Sequence, residues 1–360
     1  MPWYRLSVSN FDIVMERCSN RHNFASDNTA GFSPAVITAL QEANAGYSAS
    51  YGEDSWTARL REKVRDIFET DCESYLVFNG TAANALALAQ ICQSFHGIVC
   101  HRNAHIQTDE CGAPEFFTKG SKLFLVGGDA GKIDLSEAAS IVNGLPELHA
   151  HKPRVVSITQ ATELGTAYTR KEIEAVSEFA RQRKMLVHMD GARFASAVTS
   201  LNCAPKEITW QVGVDVLCLG GTKNGLAAGE LVIFFTRDLG REFDYRQKQA
   251  GQLASKTRFL AAPWCEFLEK GIWLQNAKHA NRMALTLADR LKLELKLTPV
   301  LPVEANSVFV AISDPNVNEV RRRGWHFYKF IEPDIYRLMC SWATTEAEID
   351  EFVADLRCVQ

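Results

Sequence analysis

Seven short apolar runs recur between residues 75 and 235, at 75–78, 97–100, 122–126, 154–159, 185–189, 214–219 and 231–235. Gly, Asn or Asp bounds them, and stretches of helical spacing lie between. Continuous apolar runs of this length suit strands buried on both faces, which have no solvent side to leave polar. Their alternation with helices over about 200 residues points to an α/β fold, a mostly parallel sheet covered on both faces. The helical patterns are explicit in places. Thr169 and Glu172 form a capping box, with Ile173, Val176, Phe179 and Ala180 following at helical spacing, and Trp56, Leu60, Val64 and Phe68 make another stripe.

The pattern changes after residue 260. One long helix is expected over 264–287, strands over 307–312 and 335–340, and a last helix over 345–356. This describes a smaller α+β domain packed on the first, with a ligand cleft between them. The expected division is 1–23 as an extension outside the fold, with Met15 open as an alternative start, 24–275 as the large domain and 276–360 as the small one.

Charge narrows the functions. Lys and Arg number 39 against 43 Asp and Glu, a net charge of −4. Such a balance has no electrostatic footprint for nucleic acid. The one basic run, Arg321-Arg322-Arg323-Gly324, reads as a helix end, with arginines at the negative pole and a glycine cap. No apolar stretch is long enough to span a bilayer, and the first twenty residues lack the apolar core of a signal peptide, so the expected location is the cytoplasm, away from membranes. The ten cysteines include no C-x-x-C pair, and several lie in apolar runs. They read as small buried hydrophobes, and no metal site is expected.

Three segments carry chemistry. FNGTAAN at 78–84 follows a strand and opens a helix, so its free amides, glycine and hydroxyl can receive an anion. It lacks the G-K-[ST] of a nucleotide loop, and alone it reads equally as an ordinary turn. HMDGAR at 188–193 delivers Asp190 at the carboxyl end of a strand, where α/β sheets bind ligands, although an acid there also serves as a plain helix cap. CLGGTKNG at 218–225 brings Lys223 out of small residues after a later strand. A lysine in a confined apolar site has a lowered pKa and can form a Schiff base, whereas most lysines in turns simply lie on the surface. Anion site, aspartate and lysine together are what pyridoxal phosphate needs: a helix N-terminus for the phosphate, a carboxylate for the ring nitrogen and an amine for the aldehyde.

With these segments, FASDNTAG, YGEDSWTARL, HIQTDECGAPEFF, KQAGQLASKTRFLAAPW and YRLMCSW occur in order from residue 24 to near the C-terminus. On these motifs the chain resembles the low-specificity L-threonine aldolases, pyridoxal phosphate enzymes of fold type I with the aspartate-aminotransferase-like architecture, and is most similar to a bacterial branch with the GGTKNG lysine loop. The resemblance implies a mostly parallel seven-stranded sheet and a small C-terminal α+β domain. It implies cleavage of the Cα–Cβ bond of L-threonine, L-allo-threonine and related β-hydroxy-α-amino acids to glycine and an aldehyde. It makes Lys223 the Schiff-base lysine, Asp190 the partner of the ring nitrogen, Gly80 and Thr81 the phosphate pair, and His105 the histidine stacked on the ring. Arg193 then lies near the cofactor's phenolic oxygen and the substrate carboxylate, which Ser26 and Arg337 also bind. Tyr51 and Arg258 match residues given by a neighbouring subunit, Arg258 towards the phosphate, which implies a dimer with shared sites within a tetramer. His149, with His151 close by, matches a second active-site histidine near the substrate side chain; His105, His149 or a bound water is the base for the β-hydroxyl.

The chain departs from the family pattern at Ala25-Ser26-Asp27-Asn28, at Thr222 before the lysine and at Gln160-Ala161-Thr162, all near the ligand, so substrate range is less defined than reaction class. A phenylserine or 3-hydroxyaspartate aldolase, or a β-eliminating lyase, is the nearest rival. A non-catalytic binding protein would not need the lysine, aspartate and arginines. His22, His96, His101, His188, His279 and His326 lack metal spacing and read as structural, and Glu110, five residues after His105, either orients a polar group or is a first-turn acid.

Overall fold

The computed structural model describes residues 23–360, so the extension expected at 1–23, except Asn23, lies outside the described residues, as do Met15, Cys18 and His22. Strands β1 (Glu73–Val77), β2 (His96–His101), β3 (Lys122–Val126), β4 (Lys152–Thr159), β5 (Leu186–Gly191), β6 (Val216–Leu219) and β7 (Glu230–Phe234) form one sheet in the order β1-β7-β6-β5-β4-β2-β3. They are the seven runs read from the sequence. Neighbours among β2 to β6 pair in parallel, while β7 runs against both β1 and β6. The β6–β7 link is too short for a helical crossover, so the chain must turn straight back.

Both faces of the sheet are buried, which explains the unbroken apolar runs. Ile98, Cys100 and Val155 face the helix Gly80–Ile91 with its Leu86, Ala87 and Leu88. Val99, Val156, Val187 and Met189 face the other way, against Ile173, Val176 and Phe179 of the helix Arg170–Gln182. That helix starts with the expected capping box between Thr169 and Glu172. In the helix Ser55–Phe68, Leu60, Val64 and Phe68 are buried as the stripe requires.

A second sheet of β8 (Ser307–Ala311), β9 (Tyr328–Ile331) and β10 (Ile335–Met339) is antiparallel in the order β8-β10-β9. The helices Asp314–Arg322 and Glu346–Arg357 accompany it. Gly324, at φ 102°, ends the first as the basic run implied, and Arg323 pairs with Asp355 at 2.9 Å. The single helix expected over 264–287 is in fact two, Arg258–Glu269 and Ile272–Leu295. Gly271 separates them at φ 64°, a left-handed conformation that glycine adopts without steric cost.

The helix Ile272–Leu295 belongs to two cores. Trp273 and Ala277 join the main-sheet core, whereas Met283, Ala284, Leu287 and Leu291 join that of the small sheet. Phe24 also packs in the small core, stacked on Trp325 at 5.4 Å and edge-on to Phe352 at 5.2 Å. The described chain therefore begins fastened to the C-terminal unit. No helix among the described residues is long and apolar enough to cross a membrane. The nine cysteines of the described residues are free thiols.

Candidate active site

A cavity of about 460 Å³ opens at the carboxyl ends of the parallel strands. Gly80, Thr81, His105, Asp190, Thr222 and Lys223 line it. Sheet topology gathers them: β1 feeds the helix that starts at Gly80, β5 ends on Asp190 and Gly191, and β6 releases the loop that holds Lys223.

The anion end is built by the helix Gly80–Ile91. Asn79 caps it, its Oδ1 accepting from the Ala82 amide at 2.9 Å. The amides of Gly80 and Thr81 have no carbonyl of the helix to bond. A Cβ at Gly80 would meet nothing within 4 Å, so open space stands before them.

Across the cavity the lysine loop is tightly held. A Cβ at Gly220 would fall 2.4 Å from the Ala192 carbonyl oxygen, so only glycine lets the two strand ends approach so closely. The Gly221 amide donates to buried Glu230, and Asn224 donates to the Trp273 carbonyl at 2.8 Å. Lys223 has no hydrogen bond or ion pair among the described residues. Burial first, and then the Arg193 charge, lower its pKa. Its proton is held less tightly than that of a surface lysine.

Asp190 heads a buried polar chain. Its Oδ2 accepts from Asn84 Nδ2 at 2.9 Å, and that nitrogen also donates to Glu110 Oε1 at 2.8 Å. Glu110 Oε1 lies 2.9 Å from His105 Nδ1. This bond raises the His105 pKa, while burial raises that of Glu110. Glu110 therefore orients the histidine, and the first-turn alternative falls away. His105, Glu110 and Asp190 offer ligand atoms within 4.8 Å of one another, but the Asn84 amide donates to both carboxylates, so the group is a hydrogen-bonded chain.

Arg193 is almost buried and paired in bidentate fashion with Asp27, Nε at 2.7 Å and Nη2 at 2.9 Å. Asn306 adds a bond to Asp27 at 3.1 Å. Burial works against the Asp27 charge, but Arg193 and Lys223 outweigh it and hold the carboxyl below its usual range. Two of the donors expected to face ligand on Arg193 are thus committed to Asp27. Arg337 lies over the Phe330 ring at 4.7 Å, with Nε buried and without a hydrogen-bond partner. Burial and the nearby Arg193 charge bring its pKa down to about 10. Ser26 precedes Asp27, and its Oγ accepts from the Asn28 amide at 3.2 Å. Two guanidiniums beside one hydroxyl suit a carboxylate.

Six expected site residues are not in the cavity lining: Ser26, Arg193 and Arg337 stand beside it, Arg193 in a small pocket that shares Lys223, whereas Tyr51, Arg258 and His149 lie elsewhere. The Tyr51 amide donates to the Ser255 carbonyl at 3.1 Å, and its half-exposed ring lies under Lys248 at 4.2 Å. Arg258 opens a helix close by, with Nε buried and without a hydrogen-bond partner. His149 is exposed in the turn before β4. Asp190 adjoins the far end of that strand, and eight residues at about 3.3 Å each put roughly 26 Å between the two. Within one chain His149 therefore does not join the site. Sequence reasoning missed Asn84, Asp27 as the Arg193 partner, Glu163, Glu230 and Asn306. Asp27 stood inside the FASDNTAG motif; the others carry no periodic signal.

Residues 23–315 match the model of a family described as Beta-eliminating lyase. The chain is 51% identical over 336 residues to the low specificity L-threonine aldolase of Pseudomonas aeruginosa, covering 93% of this chain and 97% of that protein. Identity to the protein of the same name from a Pseudomonas species is 49%, with the same coverage. Among solved structures, a Leishmania major threonine aldolase superposes with a TM-score of 0.89 at 27% identity, over 94% of this chain and 100% of that one.

Proposed function

The chain belongs to the Beta-eliminating lyase family, and on that premise we propose that it is a pyridoxal phosphate-dependent low-specificity L-threonine aldolase, an aldehyde-lyase. The observation that carries this reading is the cavity with the Gly80–Thr81 anion end, Asp190, and the unpaired, buried amine of Lys223 on its walls. Open space before the Gly80 amide and a lysine without a partner fit a phosphate and an aldehyde.

Bound there, pyridoxal phosphate supplies an electrophilic aldehyde carbon and a ring that accepts the electron pair of the breaking Cα–Cβ bond. Gly80 and Thr81 would hold its phosphate, and Lys223 is the amine that would hold its aldehyde carbon. Asp190, fixed by Asn84, keeps a proton on the ring nitrogen. Arg337, Ser26 and the uncommitted face of Arg193 hold the substrate carboxylate. That grip sets rotation about Cα, so that the Cα–Cβ bond is the one aligned for cleavage. The β-hydroxyl proton leaves to His105 or to a water it holds, and Glu110 steadies the charged ring. Reprotonation at Cα gives glycine, and threonine gives acetaldehyde beside it.

Tyr51 and Arg258 share one patch away from their own cavity, which supports their use in a neighbouring subunit's site, a dimer within a tetramer in the cytoplasm. His149 meets substrate only if another subunit presents it. The test is the visible absorption of the cofactor-loaded protein, followed by release of glycine and aldehyde from L-threonine, L-allo-threonine, phenylserine and 3-hydroxyaspartate. Acetaldehyde from the threonines supports the reading; ammonia and a keto acid would replace it with β-elimination.

A further inference from the structure

Glu163 takes no part in the reaction as described, yet it stands half-buried at the edge of the site with its carboxyl turned inward. It stands in the loop after β4, whose last residue, Thr159, is the register partner of Asp190. Glu163 Oε1 accepts two hydrogen bonds, from the Thr159 hydroxyl and from the His105 main-chain amide, each at 2.8 Å. Its Oε2 is out of reach of solvent and has no hydrogen-bond partner.

The bond to His105 is unusual in its origin. His105 is the first residue of the short helix His105–Thr108, and the cap position is Ala104, whose side chain cannot accept. The first amides of a helix have no carbonyl within it. Glu163, 58 residues away in sequence, satisfies the first of them, an amide that a cap side chain, which reaches the second or third, would leave open. His105 is therefore held at its main chain by one buried carboxyl and at its ring by another, Glu110.

We propose that Glu163 is a positioning residue that sets the place of His105 against the cofactor. This rests on the reading of the site given above. The titratable and charged groups around Glu163 are Asp190 on β5, Arg193 after it, Tyr168 before the helix Arg170–Gln182, Cys100 on β2 and His105 itself. Burial, and then the Asp190 charge, push the Glu163 carboxyl up to about 6. Ionised, it puts a second negative charge near Asp190; protonated, it leaves an Oε2 hydroxyl without an acceptor; either form keeps the two bonds accepted at Oε1, so the positioning does not depend on which is present.

Glu163→Gln keeps an oxygen that accepts the same two bonds and never ionises, so it should preserve the positioning. Parent, Glu163→Gln and Glu163→Ala would be compared in three ways: kcat and KM for L-threonine across pH, the induced circular dichroism of bound pyridoxal phosphate, and the side-chain carboxyl carbon resonances of glutamate in the cofactor-free protein. The parent should show a glutamate resonance that titrates near pH 6 and is missing from Glu163→Gln. Glu163→Gln should keep kcat within about threefold and the parental dichroism, whereas Glu163→Ala should lose at least about tenfold in kcat with a smaller change in KM and an altered dichroic band. A Glu163→Ala protein with parental kcat and dichroism would overturn the proposal, as would a Glu163→Gln protein that loses at least about tenfold in kcat with an altered dichroic band. If Glu163→Ala does not fold, the Glu163→Gln comparison still decides. A parent that releases no aldehyde would sink the aldolase reading alone, since the dichroism of bound cofactor is measured without substrate.

Discussion

The two sides of the cavity are held in different ways. On one side Gly80, Asp190 and Lys223 stand at or just beyond strand ends, fixed by the sheet itself. On the other, Asp27, Arg193 and Asn306 come from remote parts of the chain and are held by a buried ion pair and its hydrogen bonds, with Ser26 and Arg337 beside them. The first side tolerates loss of a functional group without losing its shape, because backbone pairing sets the geometry. The second depends on charge balance, since removal of one partner leaves the other buried and uncompensated.

Substitutions should separate the sides. Lys223→Ala should abolish nearly all turnover and the visible band of bound cofactor while leaving the melting temperature of the cofactor-free protein close to the parent's; spectroscopy, assay and calorimetry on the dialysed protein check this. Asp190→Asn should retain cofactor but lose at least about a hundredfold in kcat, because an amide cannot stabilise charge on the ring nitrogen as a carboxylate does. Near-normal turnover in the loaded variant would remove Asp190 from the chemistry.

Asp27→Asn should behave in the opposite manner. It leaves Arg193 buried beside a neutral amide, and urea denaturation should show a loss of about 3–5 kcal/mol. The Asp27 carboxyl is held below its usual range, so its contribution is present above the unfolded-state value and is lost as pH falls through the folded one. The variant should therefore lack part of the parent's acid sensitivity. A variant as stable as the parent would show that the ion pair does not hold this side together.

Mixing Lys223→Ala with Arg258→Ala subunits tests whether the site extends beyond one chain. Free exchange should restore up to about a quarter of the sites, because half the dimers are mixed and one site in each is complete. No recovery despite demonstrated exchange, or full activity in a monomer, breaks the shared-site reading. The smallest expected effect is on stability in Glu163→Gln. The folded-state Glu163 value is raised from 4.5 to about 6, so the parent loses stability as pH rises through that interval. The variant should gain up to about 2 kcal/mol over the parent at neutral pH and nothing at pH values below the interval. Melting curves at several pH values would show it.

The same contrast explains what could be read from the sequence. Strands buried on both faces leave runs such as Val216–Leu219, and the candidate site residues stand at or just past their ends, so Asp190 and Lys223 were visible as chemistry at strand ends. Asn306 and Glu163 lie in irregular segments, and their partners Asp27 and His105 are 279 and 58 residues away. No local pattern records such a pairing. β9 was missed because Tyr328–Ile331 alternates exposed and half-buried residues, with Lys329 among them, and makes no apolar run. The break at Gly271 was hidden because buried Phe267 and Leu268 precede it and Trp273 follows, so the apolar spacing looks continuous. His149 was placed by resemblance alone, and the length of β4 separates it from the site.

The helix Ile272–Leu295 carries a thermodynamic consequence. Its 24 residues span about 36 Å, with one end in each core. If the small unit melted alone, the second half of the helix would lose its packing and remain as a stub of a length that is marginal in water. If the large unit melted alone, the first half would be stranded in the same way, and Phe24 would tether the loosened chain to the surviving core. Partial unfolding thus forfeits contacts in both units, and the two cores of a chain should melt together, in a single calorimetric transition.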